Sequence, residues 1–199
     1  DDMSDFEKEI MIIRWLVDGC TYEKGENWSN STAFSCIVNA EAQCAGYADA
    51  FLQTAKACGL EARYVYNSSH AWNLVKIEGD WYHVDVTWED PIGSNSYGFS
   101  SLRNKYINLE DNQIKGYSSH HTWSPSTIKA DGTDYGPAVV AQYLKDGTID
   151  TSKGESFKDQ MDDFFESASN EDGSNMIAYT NISEPAAKIS SYLEEELDE

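Results

Sequence analysis

Apolar positions recur along this chain with two periods. Ile10, Ile13, Leu16 and Val17 fall at helical spacing behind an acidic start, so residues 4–19 are predicted as an amphipathic helix stopped by Gly19. Residues 21–35 are polar and predicted as loop. Tyr47, Ala48, Phe51, Leu52 and Ala55 then predict a second helix from Cys44 to Cys58, closed by Gly59 in the place favoured by a C-cap glycine. The period next shifts toward two. "EARYVYN" reads as a strand, and "HAWNLVKI" and "WYHVDVTW" read as a hairpin closed around Glu78-Gly79-Asp80. Residues 92–104 are Gly/Ser/Asn-rich loop, and "KYINLEDNQIKGY" reads as a short strand or turn beside a loop carrying His120, His121 and Trp123.

The composition changes after Gly136-Pro137. From Asp146 to Glu199 there are 15 acidic residues against three lysines, with helical spacing at Phe157, Met161, Phe164 and Phe165, a strand-like "MIAYT" and a closing helix over 185–197. The expected organisation is therefore an α+β domain over residues 1–136, followed by an acidic α/β extension over 137–199.

Charge narrows the possible partners. With 14 basic against 35 acidic side chains the formal charge is −21, which repels nucleic-acid phosphates and anionic membranes and favours cationic partners such as Lys-rich peptides. No apolar run approaches the roughly 20 residues that span a bilayer, and the first ten residues lack the basic and apolar blocks of a signal peptide. A 13% aromatic content is enough to line a groove as well as a core.

Cys20, Cys36, Cys44 and Cys58 show no metal-type spacing and are too sparse for a disulfide scaffold. Mostly free thiols are expected, with one bridge such as Cys20 to Cys36 left open. Cys44 is the exception, because it stands where "NAEAQ" gives way to the second helix. There the partial positive charge of a helix N-terminus favours a thiolate. Hairpin parity supplies partners: an even-length turn pairs even positions of the first strand with odd positions of the second. His70, Trp72 and Leu74 then share a face with His83, Asp85 and Thr87. Nucleophile, acid/base and orienter would be Cys44, His70 and Asp85. His83 lies on the same face and is read as structural. Thr87, Trp88 and Asp90 are expected to fix the strand end. His120 and His121 lack an HxxxH or Cys-His spacing, so no metal is predicted, and no EF-hand-like loop suggests calcium.

"CAGYADAF", "HAWNLVKI" and "WYHVDVTWEDP", in that order and spacing, resemble the core of the transglutaminase-like superfamily, in particular its bacterial members. The resemblance is close over residues 34–91, and "KYINLEDNQIK" with "HTW" is similar to the segment that follows. It implies a papain/transglutaminase-like core in which the Cys44 helix packs on an antiparallel sheet supplying His70 and Asp85. It also implies thiol-dependent acyl transfer on protein or peptide amides without a cofactor, and an extracellular or cell-surface bacterial setting. For the oxyanion, the Cys44 backbone N–H is the expected first donor, and Gln43, Trp72 and Trp28 are candidates for the second, with Trp88 in the cleft. Animal transglutaminases place a Trp directly after the nucleophile, whereas this chain has Ala45 and Gly46. Hydrolysis, by a peptidase or deamidase, is therefore expected ahead of amine transfer. A non-catalytic binding module on the same fold is the alternative of another class.

Overall fold

Ser4 starts the first helix by accepting a hydrogen bond from the Glu7 N–H while Glu7 reaches back to the Ser4 N–H, a reciprocal cap that satisfies two otherwise orphaned donors. The structure, a computed structural model, describes residues 3–23, 25, 28–90, 105–124 and 128–146. The element order is α1 (Asp5–Gly19), β1 (Thr21–Tyr22), a 3-10 turn (Trp28–Asn30), α2 (Ala33–Ile37), β2 (Glu41–Ala42) and α3 (Cys44–Ala57). Then come β3 (Ala62–Tyr66), β4 (Ala71–Ile77), β5 (Asp80–Val84), α4 (Val86–Glu89), α5 (Asp111–Tyr117) and α6 (Pro137–Asp146).

β3, β4 and β5 form an antiparallel sheet with β4 in the middle, and β1 pairs with β2 in parallel. The β4–β5 register, with Asn73 opposite Val84 and Leu74 opposite His83, is the even-with-odd pairing that parity required. Its cause is the two-residue turn: Glu78 and Gly79 both have positive φ (50° and 106°), as the hairpin turn that matches strand twist demands. β4 is buried on both faces. Val75 and Ile77 face α1 and α3, while Trp72 and Leu74 face Tyr106, Leu109 and Ile114. The fold is thus α+β, with the helix bearing Cys44 laid on an antiparallel sheet.

Buried polar contacts fix how α3 sits on that sheet. Asn73 donates from Nδ2 to the Ala48 carbonyl (3.0 Å), and Tyr47 donates its hydroxyl to Asp90 (2.6 Å). Asp49 accepts the Ala33 N–H at 2.6 Å, holding the start of α2 against α3. Asp90, expected to fix the strand end, is therefore a tie between the end of α4 and the helix bearing Cys44. Gly46 lets the pieces approach: a Cβ there would stand 2.9 Å from the Asn30 carbonyl oxygen, 2.9 Å from Ala42 Cβ and 3.0 Å from the Thr32 carbonyl oxygen. Two of these neighbours are backbone and cannot swing aside. Gly46→Ala is expected to destabilise the protein by roughly 1–3 kcal/mol, read as a lower urea midpoint with unchanged slope.

Three local expectations need correction. The stretch 21–35 is not all loop, since Thr32 and Ser35 cap each other and start α2. "KYINLEDNQIKGY" forms a β-bridge only at Leu109 and then turns helical, because Glu110 and Gln113 form a capping box for α5. The second hairpin strand stops at Val84: Asp85 accepts the Trp88 N–H and becomes the N-cap of α4, so Thr87 and Trp88 are helical. The first helix ends at Gly19 as expected, with Cys20 as its cap. Packing also runs across residue 136, because Val140 of α6 is fully buried in the core of α1 and α3 and Tyr143 meets Phe6. The loop expected at 92–104 and the elements expected beyond 146 lie outside the described residues.

Candidate active site

The three expected residues meet at one end of the sheet, where β4 begins, β5 ends and α3 has its N-terminus. Cys44 is the first residue of α3, so its N–H has no helical carbonyl to bond and its side chain feels the positive end of the helix. His70 immediately precedes β4 and Asp85 immediately follows β5. His70 Nε2 lies 2.6 Å from Asp85 Oδ2, with the carboxylate fully buried and the imidazole nearly so. Since Nε2 is engaged there, Nδ1 is the ring nitrogen left for Cys44, whose thiol lies close enough for the two groups to shift each other's protonation. Asp85 Oδ1 accepts the Trp88 N–H (3.1 Å), and the Asp85 N–H is held by the Tyr106 carbonyl (2.9 Å). The Trp88 bond opposes rotation of the carboxylate, and the Tyr106 bond fixes the backbone that carries it.

Electrostatics favours charge separation. Burial alone would raise the Cys44 thiol, but hydrogen bonds from His70 and from the backbone N–H groups of Ala71 and Ala45 bring it below the ordinary thiol value. Burial alone would lower His70, yet bonding to Asp85 and Cys44 lifts it to about 9. Asp85 is buried, which raises a carboxyl, but the two histidines beside it hold it below the usual carboxylate range. Both shifts move the pair toward a thiolate facing an imidazolium.

His83 takes no part in that line. Its Nδ1 accepts the Trp72 indole N–H (3.0 Å), its Nε2 bonds Asp111 (2.9 Å), and burial pushes it down to about 4. The same bond corrects the reading of Trp72 as an oxyanion donor. Its only donor is committed to His83 and it is 1% exposed, so it supports the site from beneath, stacked on the His70 ring at 5.8 Å. Gln43 donates one amide N–H to the Gly25 carbonyl and keeps a second. Trp28 opens the 3-10 turn whose Asn30 carbonyl accepts the Gln43 N–H at 2.8 Å. Trp88 is half-buried with its ring 5.6 Å from His70, as a cleft wall requires.

One residue at the site was weighed in the sequence only as a metal ligand. His121 is fully buried, and its Nε2 stands 2.7 Å from Asp85 Oδ2, the oxygen that His70 uses. Nothing in its spacing to Asp85 announces this, because a loop delivers it across 36 positions. His70, Asp85 and His121 are also the three metal-type groups found together among the described residues. Two ligands of one tetrahedral zinc lie about 3.3 Å apart when the bonds are about 2.05 Å. At 2.6 and 2.7 Å these atoms are spaced for hydrogen bonds instead.

Residues 1–86, which include all three expected residues, match the family model described as the transglutaminase-like superfamily. Among solved structures, the chain is similar to a candidate cysteine protease from Cytophaga hutchinsonii, at 26% identity and a TM-score of 0.37, over 41% of this chain and 31% of that one. It is also similar to a TGase, at 18% identity and a TM-score of 0.34, over 43% of this chain and 26% of that one. The matched part thus spans about a third or less of the length of either solved chain. No curated protein matches. The segment of this chain that carries Cys44, His70 and Asp85 is thus the segment similar to the transglutaminase-like superfamily.

Proposed function

We propose that this chain is a cysteine-dependent acyl-transfer enzyme that hydrolyses amide bonds of proteins or peptides, with Cys44 as nucleophile, His70 as acid/base and Asp85 as orienter. The observation that carries the reading is the buried His70–Asp85 pair, Nε2 to Oδ2 at 2.6 Å, set beside Cys44 at the N-terminus of α3. The Cys44 thiolate attacks the carbonyl carbon, and the oxyanion forms beside the first N–H of α3. The imidazolium then passes its Nδ1 proton to the nitrogen of the departing amine as the C–N bond breaks, which leaves a thioester. Water attacks that thioester while His70 takes a proton, the acid departs, and the thiolate is restored. A formal charge of −21 supports recruitment of cationic, Lys-rich polypeptides.

The test has two parts. Cys44 in the intact protein should be alkylated by iodoacetamide at pH 6 at least about tenfold faster than in His70→Ala, because a lowered thiol pKa leaves thiolate present in mild acid. The active protein and Cys44→Ala are then incubated with a protein library and the products compared by mass spectrometry. New termini or Gln-to-Glu conversions formed without added amine are expected. Isopeptide links that require a primary amine would replace hydrolysis by transglutamination. Slow alkylation together with no Cys44-dependent product would overturn the enzyme and leave a binding module.

A further inference from the structure

We propose that His121 is a positioning residue for this site, holding the Asp85 carboxylate by a second hydrogen bond on the oxygen that orients His70. The inference rests on the catalytic reading above and adds a fourth residue to it. A polar ring in a loop with no exposed surface is costly unless its polar atoms are bonded. His121 spends one nitrogen on Asp85 Oδ2, at 2.7 Å, and leaves Nδ1 buried with no hydrogen-bond partner among the described residues. A bare lone pair there costs less than an unsatisfied N–H, so the arrangement assigns the Nε2–H tautomer, donating to the carboxylate. The ring is oriented for that bond and no other.

Its surroundings hold it there. The His121 ring meets Trp88 at 4.8 Å and Trp72 at 5.2 Å, both edge to face, and Tyr106 at 5.9 Å. Asn67 ties the two histidine segments together. Its Oδ1 accepts the His70 N–H (3.0 Å), and its Nδ2 donates to the carbonyls of His120 (2.6 Å) and Thr122 (2.7 Å), which flank His121. One side chain therefore sets the spacing between the ring that performs proton transfer and the ring that anchors its carboxylate. With Trp88 N–H on Oδ1 and two imidazoles on Oδ2, Asp85 is held from three directions. Without His121, Oδ2 keeps only His70, and the pair is free to tilt away from Cys44.

The experiment uses the full chain as wild type, His121→Leu and His121→Gln. Leucine keeps an apolar body without a donor, whereas the glutamine amide places an N–H near the position of Nε2. Alkylation at Cys44 by iodoacetamide at pH 6, read by peptide mass spectrometry, is expected to slow about 10- to 100-fold in His121→Leu, the loss of one hydrogen bond to a charged group. His121→Gln should recover most of the rate. A folded His121→Leu with the wild-type rate, or equal losses in both variants, would overturn the proposal. If His121→Leu does not fold, nitrogen-15 chemical shifts of His121 in the wild type decide: a ring protonated on Nε2 supports the assignment, and one protonated only on Nδ1 removes it. These readouts need no turnover. Wild type that alkylates quickly but cleaves no amide would sink the hydrolase reading and leave this one standing.

Discussion

Cys44→Ala is expected to lower amide turnover by four to six orders of magnitude, and His70→Ala by a similar factor, as removal of either member of a nucleophile and base pair does elsewhere. The double variant should be no worse than either single one, because the two side chains act as one unit. In the proposed mechanism the imidazole is what draws the thiol toward its thiolate, and the imidazolium has no task without that thiolate. Asp85→Asn is expected to fall less far: an amide oxygen still accepts from His70, but the negative charge that stabilises the imidazolium is gone. These losses would not reflect unfolding, since Cys44 is only half-buried and alanine suits the first turn of a helix. The measurement is kcat/KM on the amide substrate found by the library experiment, alongside thermal unfolding of each variant. A Cys44→Ala protein retaining a tenth of wild-type activity would end the assignment.

The second large effect is on stability and comes from outside the site. Glu9 on α1 is fully buried. Among the described residues its carboxylate accepts a hydrogen bond from Asn108 Nδ2 (3.0 Å) and its Oε1 has no partner, and burial pushes its carboxyl up to about 8. The folded protein therefore holds this proton after the unfolded chain has released its own near 4.5. Stability from this group is fully present below pH 4.5, falls as pH rises, and is lost once the pH passes about 8. The span between those two values is worth on the order of 4–5 kcal/mol, a large part of the 5–15 kcal/mol that keeps a typical domain folded. Urea unfolding of wild type and Glu9→Gln at pH 5, 7 and 9 checks it. The glutamine keeps the carbonyl that accepts from Asn108 and cannot ionise, so the difference between the two proteins should grow by several kcal/mol toward pH 9. Parallel pH curves would show that Glu9 is ionised in the fold.

Much of the candidate site's geometry is legible in the sequence. Cys44 was readable because the shift from "NAEAQ" to an apolar 3.6 period marks a helix start, and helix starts favour anions. The pairing of His70 with Asp85 followed from parity once the turn was taken as even, and the two-residue turn at Glu78-Gly79 makes it so. The readings that changed share a cause. α2 and α5 are shorter than a helical period needs to be visible, and their capping boxes, Thr32 with Ser35 and Glu110 with Gln113, are weak signals beside the hydrophobic pattern. The end of β5 was hidden because Asp85 serves two functions at once. It stops the strand by capping α4, and it receives His70.

Periodicity and order along the chain determined which residues could serve: a cysteine at a helix start, and a histidine and an aspartate on one face of a hairpin. Those are local facts, set by backbone geometry over a few residues. Only the tertiary structure decided which polar atoms met. It committed the Trp72 indole to His83 and withdrew it from the cleft, bound Tyr47 to Asp90, and brought His121 from a distant loop onto the Asp85 oxygen. The physical reason is that a buried polar group must find a partner wherever the fold places one, and that partner is chosen in space without regard to sequence separation.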